Sequence, residues 1–288
     1  MDLSGEQRLA RGGTSSQVAS PSRHIKQITT CVLLVGSYLA GVIGCGTQEP
    51  HRHPRPPEVY HHYPERDFCF SGMEWSVRGG HELQGAGPNY WGGSHHHVDH
   101  DQVLDEVTLR VGPDRHGVWR SAEISTWIPP DTTTLEIDFE GLPEELDPNI
   151  VLGVFVYRND ESEFDLELSS WGHAKGGEGE EPYHPIQFVV VPPIEEGHMH
   201  RFSPTTEKGL AAKWTQRFEW QEDFIVFTLE QDGEVLSTWR YEGEDVPRYD
   251  DHRLHINLWL FEGRPPINRE PVDVTITRVA FSDQTSTR

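Results

Sequence analysis

From Phe68 onward the chain repeats one pattern: short stretches in which apolar and polar residues alternate, each ended by Gly, Pro, Asp or Asn. Val272, Val274 and Ile276 fall on one side of such a stretch, and Asp273, Thr275 and Thr277 on the other. Period two is the signature of a half-buried β-strand and is incompatible with a helix face. The same pattern fits Val103–Val111, Val118–Trp127, Thr134–Phe139, Val151–Tyr157, Glu163–Leu168 and Gln187–Val191. It fits Gln216–Trp220, Phe224–Glu230, Glu234–Trp239, His255–Phe261 and Val272–Phe281 as well. Only Thr205–Trp214 offers room for a short helix. Strands at this spacing predict an all-β fold, an antiparallel sandwich or barrel, and Asp67 to Gln284 is a suitable length for one large jelly roll. The absence of an internal repeat argues against a propeller.

Such a fold needs a core, and nine Trp, eight Tyr and twelve Phe supply one. The charge balance excludes other functions. Asp and Glu number 47 against 24 Lys and Arg, a net charge of −23 that repels nucleic-acid phosphates and anionic lipid head groups. No Gly-rich phosphate loop or G-x-S-x-G elbow is present.

The region before the strands carries an address. A largely apolar run from Ile28 to Gly44, preceded by scattered basic residues, ends in Val42-Ile43-Gly44 directly before Cys45. It resembles a bacterial lipobox, which implies a signal peptide over residues 1–44, cleavage before Cys45, lipidation of its sulfur and a place at the cell envelope. An uncleaved membrane anchor is the alternative, the run being at the lower length limit for a span. Residues 45–66, rich in Pro and His, form a spacer between membrane and body. With Cys45 acylated, Cys69 is expected as a buried free thiol. Residues 285–288 are a tail.

One strand is chemically unusual. In Asn159–Gly172 (NDESEFDLELSSWG), Phe164, Leu166 and Leu168 turn to the core, so Glu163, Asp165 and Glu167 share the opposite face. Three acids in a row repel one another, and folding gives no reason to assemble them. Their crowding raises the pKa of at least one, leaving a protonated acid beside an ionised one, which is what glycosidic bond cleavage requires. A solvated acidic strand in an acidic protein is the competing interpretation of these residues alone.

The surroundings extend the pattern. Glu163-Phe164-Asp165-Leu166-Glu167 resembles the E-x-D-x-E strand of glycoside hydrolase family 16, the group of licheninases and laminarinases. Gly87-Pro88-Asn89-Tyr90-Trp91 resembles its early cleft loop, and Leu146–Asn149 with Val151–Phe155 the strand entering the catalytic hairpin. Ser170-Trp171-Gly172, Thr215–Trp220, Ile225–Phe227 with Asp232-Gly233, and His255–Leu260 follow in the family's order. The resemblance implies a concanavalin A-like jelly-roll sandwich of two antiparallel sheets with a concave substrate face. It implies Glu163 as nucleophile, Glu167 as general acid/base and Asp165 as the assisting residue. It also implies a polysaccharide substrate, a β-glucan with 1,3 or mixed 1,3/1,4 linkages, cut internally with retention. Trp171, Asn257, Trp259, Tyr90 and Trp91 are the candidate substrate-binding residues. No cofactor is required; a structural calcium is compatible with the resemblance, but no compact oxygen-rich loop places one.

Three departures stand out. Gln216 occupies a position where a His is usual, Pro185 and Val191 replace polar residues, and the hairpin Arg158–Ser162 is short. They are expected to reshape subsites, and they favour an alternative function, a non-catalytic carbohydrate-binding sandwich; a wall-polymer transglycosylase is a third, since the same covalent intermediate can pass to a sugar acceptor. Trp119, Trp127, Trp220 and Trp239 are assigned to the core. His95, His96, His97, Asp99, His100 and Asp101 form the densest run of metal-ligand types, read as a solvated loop because successive residues rarely converge on one ion.

Overall fold

The computed structural model describes residues 67–173, 184–204 and 209–283. The expected signal peptide and spacer, with Cys45, and the expected tail lie outside them.

Among the described residues sixteen strands form two antiparallel sheets that face each other. In sheet order, the first contains β1 (Asp67–Phe70), β2 (Met73–Val77), β6 (Ala122–Trp127), β15 (Arg253–Leu260), β8 (Ile150–Asn159), β9 (Ser162–Ser169), β10 (Ile186–Val190) and β11 (Met199–Phe202). The second runs β14 (Glu234–Glu242), β13 (Phe224–Gln231), β12 (Trp214–Trp220), β7 (Thr134–Glu140), β16 (Val272–Ser282), β4 (Glu106–Pro113) and β3 (Val98–Asp101), with β5 (Trp119–Arg120) on β4. The one helical element among the described residues is a 3-10 turn at Phe261–Gly263.

The inward faces interlock. Phe164 on β9 meets Phe218 and Trp220 of the opposite sheet, each with ring centres 5.3 Å away. Leu152, Val154, Val156, Leu254, Ile256 and Leu258 join it on the first sheet's side of the core. Each such side chain gains about 1.5–3 kcal/mol by leaving water.

The outward faces differ, and the difference locates the site. In the second sheet, β7 and β13 alternate strictly between buried and half-buried, as expected of a face in contact with water. In the first sheet every residue of β15 is buried, as are all of β9 after Ser162 and the first eight of β8. Their outward side chains are largely polar, so a sheet buried on both faces carries charged groups on the face away from the core.

Several expected boundaries move. Val103 and Leu104 are exposed in the turn before β4 because the Asp101 carboxylate captures both of their amides. The strand Val118–Trp127 breaks at Ser121, whose amide donates to the Tyr90 carbonyl. Trp214 opens β12, paired with Phe139 and Gln231, and does not end a helix. The short β1, β2, β3 and β11 carry too few residues for a period to register. Cys69 corrects another expectation: it is exposed on β1 and disulfide-bonded, not a buried thiol, and its partner lies outside the described residues.

Candidate active site

Pairing across the first sheet brings residues distant in sequence into rows on its outer face. Glu123, Asn257, Gly153, Glu167, Gln187 and Arg201 are consecutive cross-strand partners on β6, β15, β8, β9, β10 and β11. Ser125, His255, Phe155, Asp165 and Val189 form the next row, and Trp127, Arg253, Tyr157 and Glu163 the third. The three acids therefore share a face, as their alternation requires.

They lie deep. Glu163, Asp165 and Glu167 expose 3%, 6% and 8% of their surface, Glu167 being the most open. Burial and the charges of Asp165 and Glu167 hold the Glu163 carboxyl well above its ordinary range. Burial and the Glu167 charge do the same to Asp165. A hydrogen bond between the Glu163 and Asp165 side chains requires one proton between them. Glu163 Oε1 and Asp165 Oδ1 are buried without a hydrogen-bond partner. Burial lifts Glu167 to about 7, opposed by a 2.6 Å hydrogen bond donated by Gln187 Nε2 and by the charge of Arg201. Near pH 7 Glu167 therefore stands close to its own pKa, while burial and mutual repulsion favour the protonated forms of Glu163 and Asp165.

Beside the acids is a balanced charge network. Arg78 Nη1 donates to Glu123 Oε2 at 2.9 Å, and His255 Nδ1 lies 3.1 Å from Glu123 Oε1. Burial alone would raise Glu123, but Arg78 and His255 bring it down to about 2. His255 stacks on Phe155, ring centres 4.9 Å apart, and burial lowers its pKa. Sequence offered no sign of this network, because its members are 45 and 132 residues apart.

Gly153 is the notch of the first row. A Cβ there would stand 2.6 Å from Asn257 Oδ1, a buried oxygen with no hydrogen-bond partner. Glycine thus leaves a side-chain-free gap between the Asn257 carbonyl and Glu167. Gly153→Ala is expected to push Asn257 aside, raising KM for any ligand on this face at least several-fold, measured beside a melting curve that shows the fold retained.

The candidate binding residues differ in depth. Trp91, Asn257 and Trp259 expose 0%, 1% and 2%, so they lie as deep in this face as the acids or deeper. Trp91 sits in a second apolar cluster with Ala86, Val151, Phe155, Tyr157 and Trp259, under the Arg78 guanidinium at 4.1 Å. Trp171 is half-buried and packs edge-on against Trp259 and Phe261. β9 ends at Ser169, so Trp171 reaches this cluster from a left-handed turn, φ 48°, not by continued alternation. Tyr90 is half-buried beside Arg120. Trp127, assigned to the core from sequence, is 49% exposed on the outer face with Arg253 stacked on its ring at 4.4 Å. Being outward on β6, it follows Glu123 and Ser125 by period two, the signal that could have identified it. Trp220 is buried, and Trp119 and Trp239 are half-buried against the core.

Gln216 is fully buried on the inward face of β12, so this departure changes the packing between sheets and does not reach the acids. Val191 does: its amide donates to the Glu163 carbonyl. Ser162 Oγ lies 2.8 Å from His252 Nε2. The Asp250 amide donates to His252 Nδ1, which puts the imidazole proton on Nε2, toward the serine, the wrong tautomer for a nucleophile's base.

The histidine run diverges. His95 and His96 are exposed, while His97 is buried, with its Nδ1 3.4 Å from the Arg110 carbonyl. Burial lowers the His97 pKa to about 4. Among the described residues one group with metal-ligand spacing occurs, Glu195, His198 and Asp245; His198 and Asp245 line a cavity of about 410 Å³ that Glu163, Asp165 and Glu167 do not reach. Its buried imidazole and two exposed carboxylates do not match the all-oxygen sphere that calcium takes.

No protein-family profile matches the chain, and no curated protein sequence matches it. Solved structures superpose on it. A Bacillus licheniformis β-glucanase aligns with TM-score 0.53 and 16% identity, over 73% of this chain and 92% of that one. A β-1,3-1,4-glucanase (lichenase) from a mouse hindgut metagenome aligns with TM-score 0.53 and 16% identity, over 75% and 95%. A Bacteroides ovatus family 16 glycoside hydrolase from a mixed-linkage glucan locus, in complex with a product, gives 0.50 and 15%, over 72% and 94%. The two facing antiparallel sheets are thus those of the concanavalin A-like jelly roll, and the chain has the fold of glycoside hydrolase family 16.

Proposed function

We propose that the protein is a retaining glycoside hydrolase that cuts β-glucans of 1,3 or mixed 1,3/1,4 linkage within the chain. The observation that carries the proposal is the buried trio Glu163, Asp165 and Glu167, with raised pKa values, on the outer face of a glucanase-like fold. A Glu163 oxygen attacks the anomeric carbon as the bond to the leaving oxygen breaks, and the Glu167 proton passes to that oxygen. The attack requires the proton of the Glu163–Asp165 pair to sit on Asp165; in the free chain their hydrogen bond favours it on Glu163, so it crosses to Asp165 before the Glu163 oxygen attacks. The Glu167 carboxylate then takes a proton from water, whose oxygen displaces Glu163 from the anomeric carbon with net retention. No cofactor enters either step.

The test is turnover of laminarin and lichenan by the purified body, with the anomer of the first product followed by NMR. Reducing ends released as the β-anomer support the proposal; inversion overturns the mechanism. The depth of the acids favours a second reading, a carbohydrate-binding sandwich without turnover, which would bind these polymers and release nothing.

Trp127 extends the proposed surface. It lies three strands from Glu163, about 14 Å at the usual strand spacing, so its exposed ring can stack on a sugar remote from the cleaved bond. Trp127→Ala should raise KM about tenfold for long oligosaccharides and leave kcat and the shortest substrates unchanged; equal losses on short and long substrates would remove it from the binding surface.

The proposal places the body outside the cytoplasm, where a disulfide at Cys69 persists. A mature chain starting at lipidated Cys45 retains no second free thiol for Cys69, so lipid and intrachain disulfide exclude each other. Peptide mapping without reduction decides between them.

A further inference from the structure

Three residues on three neighbouring strands form a hydrogen-bonded line that ends at Glu167. Gln187 on β10 is the direct cross-strand partner of Glu167, and Arg201 on β11 is the direct partner of Gln187. Arg201 Nε donates to Gln187 Oε1 at 3.0 Å, and Gln187 Nε2 donates to Glu167 Oε2 at 2.6 Å. A guanidinium has only donors, whereas an amide has a donor end and an acceptor end. With Arg201 at one end, the Gln187 amide must turn its NH2 to Glu167. The oxygen that accepts from that NH2 cannot also carry a proton directed at it.

We propose that Arg201 is a positioning residue that acts through Gln187 to keep the Glu167 proton on Oε1, the oxygen left to face a leaving group. The inference rests on the proposed role of Glu167 as acid/base. Without Arg201, the amide is free to turn over and offer its carbonyl to Glu167, whose proton would then settle on Oε2, away from the reacting bond. Arg201 never touches Glu167 itself. It is exposed on the edge strand of the sheet, so it can be replaced without opening the core. Among the described residues the groups facing Glu167 are Glu163 and Asp165 on its own strand, Gln187 and then Arg201 on one side, and Gly153 with the uncharged Asn257 on the other. Arg201 is therefore the one cation in this row, and its charge favours the ionised form of Glu167.

Arg201→Met keeps the apolar stem and removes every donor; Arg201→Lys restores the charge without the planar fork. Two measurements on the full chain separate this role from a structural one. The first is the Glu167 titration, read from carboxyl carbon NMR with Glu167→Gln as the assignment control, which does not depend on turnover. The Glu167 pKa should rise in Arg201→Met and recover partly in Arg201→Lys; no change, or a fall, overturns the inference. The second compares a β-glucan with a dinitrophenyl glycoside, whose leaving group departs without a proton. Arg201→Met should lower kcat/KM about tenfold on the glucan and leave kcat/KM for the dinitrophenyl glycoside, which reports only the first displacement, unchanged; all comparisons of the two substrates are made on kcat/KM. Equal losses on both substrates overturn the inference. Glu167→Ala is the reference: if it spares the dinitrophenyl substrate and Arg201→Met does not, the relay alone fails. If Glu167→Ala affects both substrates equally, the assignment of Glu167 as acid/base fails.

Discussion

Glu163→Gln is expected to lower kcat/KM on a β-glucan by about 10³-fold or more, with the fold and polymer binding retained. The amide matches the carboxyl in size but supplies no anionic oxygen to form the glycosyl ester. Asp165 then loses the partner with which it shares a proton, without a change in packing. Glu163→Ala goes further, because it leaves a space beside the anomeric carbon that a small anion such as azide can enter. Added azide should restore turnover of an activated β-glycoside and yield the α-glycosyl azide, since one displacement replaces two. Azide with Glu167→Ala should give the β-product, formed from the glycosyl-enzyme. The anomer therefore distinguishes the two carboxyls, and an α-azide from Glu167→Ala would reverse their roles. Undiminished turnover in Glu163→Gln would place the chemistry elsewhere.

The second expected result concerns stability against pH. Groups with raised pKa values bind protons more tightly in the folded chain, so their favourable contribution is complete below the unfolded value and declines as pH rises through the folded one. For Glu167 the window runs from 4.5 to about 7. At about 1.4 kcal/mol per unit, the change across it is about 3 kcal/mol. Glu163 and Asp165 move in the same direction, and the three titrate as one group. Glu123 has the opposite sign: its contribution is complete above 4.5 and is lost as pH falls toward about 2. The melting temperature should therefore be highest in mild acid and drop by several degrees between pH 5 and 8. Glu167→Gln should flatten the alkaline side, making an inactive variant more stable than the parent at pH 8. Thermal melts from pH 4 to 9 measure this; a parent curve flat from pH 5 to 8 would refute the burial-driven shifts.

What was legible in the sequence depends on how local each property is. Alternation revealed the strands and put Glu163, Asp165 and Glu167 opposite Phe164, Leu166 and Leu168, because side-chain direction is a local property of a strand. The rows across the sheet are not local. Gln187 and Arg201 come to Glu167, and Arg78 and His255 to Glu123, through register between strands that no single stretch encodes. Burial also depends on what lies above a face. Trp91 and Trp259 have the composition of a sugar platform yet lie deeper in the face than the acids, whereas Trp127, outward near the sheet's other side, keeps its ring half open. Gln216 shows the same limit, since its consequence depends on which sheet face it points to, and it points inward.

The strands that carry the acids are enclosed on both sides, while the second sheet turns one face to water. Local opening follows the wet faces and the edges, so the amides of β8, β9 and β15 exchange their hydrogens only when the whole sandwich comes apart. The carboxyls are thus fixed to the slowest-breathing part of the molecule. Breathing at the rims leaves their spacing untouched, and that spacing is lost only in the same cooperative event that dissolves the fold.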